Sequence, residues 1–82
     1  MDLASVKDFK ANVWYRGFKL LTVVSINNNK IVFSNADKIF IDENGYIHLN
    51  GKLVCTDTEI SHVELLEMYK YYLLKKGYKF LD

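Results

Sequence analysis

The 82-residue chain reads as an α+β domain: a small antiparallel meander of five or six short strands, a short N-terminal helix and a longer C-terminal helix packed on the sheet. Three observations predict this. Residues 13–55 alternate short β-rich runs with turn residues, which is the pattern of local hairpins. Residues 61–76, SHVELLEMYKYYLLKK, repeat apolar groups at helical spacing. The connections are too short for crossovers, so sequential strands should lie side by side, in a sheet that could curl into a partial barrel.

The elements follow in chain order. Residues 2–10 suit a short helix, with Asp2 as N-cap and Leu3, Val6 and Phe9 near helical spacing. Val13 to Tyr15 is a short aromatic strand, and Arg16-Gly17 a tight turn. Phe18 to Ile26 is the longest β run, with Phe18, Leu20, Thr22, Val24 and Ile26 on one face. Asn27 to Asn29 turn the chain, because asparagine tolerates left-handed backbone angles. Strands are expected at Ile31–Phe33, Lys38–Ile41, Tyr46–Leu49 and Lys52–Cys55, joined by Ser34–Asp37, by Asp42–Gly45 and by the strong hairpin signal Asn50-Gly51. Two overlapping capping boxes, Thr56-x-x-Glu59 and Ser61-x-x-Glu64, offer starts for the C-terminal helix. Lys75, Lys76 and Gly77 supply its stop. The expected core is Trp14, Phe18, Leu20, Val24, Phe33, Ile39, Ile41, Leu65, Tyr69, Tyr72 and Leu73.

Bulk composition sets bounds. The length implies one domain over residues 1–82, stable by only about 5 kcal/mol. Half the residues are hydrophobic and 15% aromatic, enough for a core. The net charge is +1, spread as +2, −2 and +1 over residues 1–19, 20–62 and 63–82. No polybasic or polyacidic block exists to drive a nucleic-acid contact by charge alone. The single Cys55 allows no internal disulfide. The N-terminus lacks the pattern of a signal peptide and no run is long enough to span a membrane, so a cytoplasmic setting is expected.

Chemistry-bearing groups are sparse. Asp42-Glu43-Asn44-Gly45 echoes a calcium loop, but with Gly45 at its sixth position the first and twelfth ligands would be Phe40 and Gly51. A hairpin accounts for the same residues. Cys55, His48 and His62 have no zinc spacing, and a lone cysteine closing a strand is ordinarily a small buried group. No catalytic signature is present, and no cofactor or metal is expected.

Binding is the better-supported expectation. At about 100° per residue, Leu65, Leu66, Met68, Tyr69, Tyr72 and Leu73 form one broad stripe facing the core. Val63, Tyr71 and Leu74 fall on the charged side, among Glu64, Glu67 and Lys70. The tail adds Phe80 and Leu81. Tyrosine is favoured at interfaces for its rigid, amphipathic area. These five residues, Val63, Tyr71, Leu74, Phe80 and Leu81, are the expected interface of a small non-enzymatic protein-binding module. It would be an adaptor or inhibitor of the kind mobile elements carry, whose partner is another protein or a second copy of the chain. The alternative is a small barrel binding single-stranded nucleic acid, its bases stacking on Trp14 and Tyr15 and its phosphates meeting Arg16 and Lys19.

Overall fold

The computed structural model describes residues 3–82. Seven antiparallel strands form one curled, half-barrel sheet in the order β6-β5-β4-β3-β2-β1-β7. The strands are β1 (Lys10–Tyr15), β2 (Phe18–Asn27), β3 (Lys30–Phe33), β4 (Lys38–Ile41), β5 (Ile47–Leu49), β6 (Lys52–Cys55) and β7 (Lys79–Phe80). The first six run as a meander through tight turns. The helix α1 (His62–Lys76) then crosses one face and delivers β7 to the far side of β1. Turn chemistry is as the residues dictate: Asn50 and Gly51 both hold positive φ, at 52° and 84°, the backbone of a two-residue hairpin.

Both ends of α1 are fixed by local chemistry. Ser61 is the N-cap: its Oγ accepts from the Glu64 amide at 3.2 Å, while Glu64 Oε1 accepts from the Ser61 amide at 3.2 Å. Of the two capping boxes only this one forms. At the other end Gly77 adopts φ 108°, a left-handed cap that only glycine takes without strain, and Tyr78 N then donates to Leu73 O. That turn sends the chain back to pair with β1.

The core is a single cluster between the covered face of the sheet and α1. Val13, Leu21, Ile31, Phe33, Ile39 and Ile47 come from the sheet, and Leu65, Tyr69 and Leu73 from the helix. Phe33 and Tyr69 stack within it, and half-buried Phe9 packs edge-on against both rings.

Four expectations need correction. The N-terminal helix reduces to a single 3-10 turn, Leu3–Val6, because β1 starts at Lys10 and draws the chain into the sheet; the Asp2 cap lies outside the described residues. The strand count is seven, since β7 is a two-residue strand made by its pairing with β1. Trp14, Leu20 and Val24 are exposed rather than core, with Trp14 46% accessible. Phe18, Ile41 and Tyr72 are half-buried against the core rather than within it. On β1 strand alternation gives the interior to Val13, and Trp14 must face out. On β2 alternation sends Leu21 and Val23 inward, so Leu20 and Val24 face out; Val23 opposes Phe33 and Ser25 opposes Val32, so Val24 is also an extra, bulged residue. It resets the phase, which lets Val23 and Ile26, three apart, both pack inward.

Candidate protein-binding surface

The position of α1 is set by a buried polar cluster. Asp37, in the β3–β4 connection, is buried. Its Oδ2 accepts from the Tyr69 hydroxyl at 2.9 Å and from Asn35 Nδ2 at 2.9 Å; its Oδ1 accepts from Asn50 Nδ2 at 3.0 Å. Asn35 Nδ2 also donates to the Tyr78 hydroxyl at 2.9 Å, and Asn50 Nδ2 reaches the Tyr72 hydroxyl at 3.4 Å. One carboxylate thus ties together a loop, a hairpin and the helix, while Asn35 adds the tail. Burial, and then the charge of Asp37, hold the Tyr69 hydroxyl far above the ordinary tyrosine range, so it stays a donor. The sequence reading missed this cluster. Its signal was two tyrosines on the core stripe, whose hydroxyls require partners once buried.

Anchored this way, α1 leaves a groove of about 330 Å³ along its β6 side. Met68, Tyr71, Tyr72 and Lys75 form the helix wall; Val54 and Leu49 form the sheet wall. Tyr71 is 62% exposed, with the Lys75 ammonium 5.0 Å from its ring centroid. Val54 is 41% exposed and is itself a bulge residue, the extra one where Ile47 opposes Cys55 and His48 opposes Leu53. Among the described residues no strand pairs with the outer side of β6. The opposite face of the sheet is apolar here too. Phe40, His48 and Leu53 lie abreast on β4, β5 and β6, and Leu53 is 49% exposed. His48 is held by Asp42, Nε2 to Oδ2 2.8 Å, and that bond is the main cause of an Asp42 pKa below the ordinary carboxylate value.

The five expected interface residues do not form one patch. Tyr71 lines the groove, and Leu74 and Val63 are exposed on the same helix. Val63 lies eight residues before Tyr71, about 12 Å along the axis. Phe80 packs against the core with the Lys70 ammonium 6.0 Å from its ring, and Leu81 is exposed beyond β7, at the other end of the strand order. The four aromatic and basic residues of the β1–β2 hairpin are divided as well. Trp14 and Lys19 are exposed, whereas Tyr15 turns inward and stacks on Tyr78 at 4.2 Å and 5°. Arg16 sits over the Tyr15 ring at 5.2 Å.

Cys55 is half-buried at the end of β6, its thiol 4.0 Å from the Asp57 carbonyl. Among the described residues no three His, Cys, Asp or Glu side chains gather as a metal site, and no helix is long and apolar enough to cross a membrane. The chain matches no known protein family, no curated protein and no solved structure.

Proposed function

We propose that this chain is a non-enzymatic protein-binding module, an adaptor or inhibitor, that engages its partner along the seam between α1 and β6. The observation that carries this reading is the groove itself. Exposed apolar residues from two elements, Tyr71 on the helix and Val54 on the sheet edge, line one concave strip. Apolar clusters beside an open sheet edge and an aromatic wall suit protein recognition. The titratable groups that come together elsewhere are spent on structure, Asp37 on Tyr69 and Asp42 on His48. The nucleic-acid reading ranks second, because Tyr15 is already stacked within the chain.

The test is affinity capture with the wild type and a Tyr71→Ala, Val54→Ser variant. Both positions are exposed, so circular dichroism should show an intact fold. Loss of a well-packed tyrosine from an interface costs about 2 kcal/mol or more. Capture of the wild-type partner should therefore fall at least tenfold. Full retention by the folded variant refutes the seam as the binding surface.

A further inference from the structure

The open edge of β6 carries opposite charges at its two ends. At the hairpin end stand Lys52, Lys75 of the groove wall, and Lys38, whose amide donates to Asn50 Oδ1 at 2.9 Å. That α1 brings Lys75 to this end follows from the Asn50–Tyr72 contact. At the other end, past Cys55, stand Asp57 and Glu59, both exposed. A strand polarised in this way complements its own copy when the two run antiparallel. The cationic tip of each then lies beside the acidic end of the other.

Backbone geometry points the same way. Leu49 and Lys52 close the two-residue loop, so they form a hydrogen-bonded pair with each other. The next pair, His48 and Leu53, is then of the non-hydrogen-bonded kind. Leu53 therefore turns its N–H and C=O away from β5, toward the open side. Two copies related by a twofold axis at Leu53 would exchange these groups, N–H to C=O in both directions. The same operation sets Leu53 against its counterpart and lays the two α1 helices along one face of the joined sheet, with Tyr71 flanking the junction.

Resting on the protein-binding reading above, we infer that the partner of the β6 seam is a second copy of this chain, joined edge to edge through β6 in an antiparallel twofold dimer. A twofold interface is self-complementary by construction, and the charge pattern of this edge meets that requirement.

Sedimentation equilibrium at low ionic strength, in a concentration series reaching ~1 mM, tests the inference. The wild type should reach twice the chain mass of 9.6 kDa. Leu53→Pro removes the outward N–H without touching the β5–β6 ladder and should leave a monomer. Lys52→Glu and Glu59→Lys should each weaken the dimer severalfold, since each reverses a charge at one end of the edge, which the twofold sets toward the opposite end of the other copy. An equal mixture of the two single variants should associate more tightly than either alone, because in the mixed dimer the reversed charges are of opposite sign. These two exposed substitutions keep the test valid even where the proline variant does not fold.

A wild type that stays monomeric throughout, a dimer that survives in folded Leu53→Pro, or a mixture no tighter than its components overturns the inference. A monomeric wild type whose capture of another protein still depends on Tyr71 overturns the second copy alone and leaves the seam as a binding surface. A β6 dimer that forms equally well in the Tyr71→Ala, Val54→Ser variant supports the edge pairing and removes the groove from it.

Discussion

Asp37 shows how much of this fold hangs on one side chain. A charge is costly to bury unless it is fully hydrogen-bonded. Here the carboxylate accepts from Tyr69, Asn35 and Asn50, and among the described residues no buried side-chain polar atom lacks a partner. Replacing it exposes the asymmetry of buried polar groups. Asp37→Ala leaves the Tyr69 hydroxyl, which still accepts from Asn35 Nδ2 at 3.3 Å, with only the 3.4 Å Asn35 Oδ1 to donate to, and removes the acceptor of Asn50 Nδ2 in the loop. Leaving such donors unsatisfied costs about 3 kcal/mol in total. Tyr69→Phe removes one donor and leaves the carboxylate two others, a loss of about 1.5 kcal/mol. Urea denaturation should rank the two in that order. The larger loss is more than half the stability of about 5 kcal/mol expected at this size. Equal losses would mean that Asn35 and Asn50 do not share the carboxylate as the distances indicate.

At the scale of elements, what was legible in the sequence is what local chemistry decides. Ser61 with Glu64 and Gly77 with its preceding lysines bound α1 because caps act within one turn. Turns at Arg16-Gly17, Gly45 and Asn50-Gly51 were legible for the same reason: each needs positive φ. Pairing decided the rest. Whether Leu20 or Leu21 faces inward depends on how β2 meets β1, and both are leucine. The bulge at Val24 arises opposite β3 and has no mark of its own. Strand β7 exists only because Gly77 aims the tail at β1, which is also why Phe80 packs inward instead of joining Tyr71 on an exposed face. The β3–β4 connection makes the same point from the side of strain. Ala36 holds φ 74°, a region that costs an L-residue at least about 1 kcal/mol. Its methyl is exposed, so packing gains nothing from it. Ala36→Gly relieves that strain against a smaller entropic cost. A net gain of about 0.5 kcal/mol in urea denaturation is expected; destabilisation would show that the loop is held in this shape at no cost.

Across the whole molecule, the sheet runs from an open edge at β6 to the short strand β7, and each side has a carboxylate that fastens a segment. Near β7, Asp82 accepts from Asn12 Nδ2 at 2.9 Å and from the Asn12 amide at 3.3 Å, while Leu81 N donates to Asn12 O. Near β5, Asp42 accepts from the Asn44 and Tyr46 amides and pairs with His48. The hydrogen bonds from Asn12 lower the Asp82 pKa, and those from His48, Tyr46 and Asn44 lower that of Asp42 against an opposing effect of burial. Both therefore lie below the ordinary 3.8 in the folded chain. In the interval between the two values the unfolded chain binds more protons, so stability rises with pH there. The contribution of each carboxylate is present above the unfolded value and is lost as pH falls through the folded one. Thermal midpoints should decline below about pH 4. Asp42→Asn and Asp82→Asn should each flatten that decline while lowering the neutral-pH midpoint slightly. An acid decline as steep in the double variant as in the wild type would place the acid sensitivity on other carboxylates.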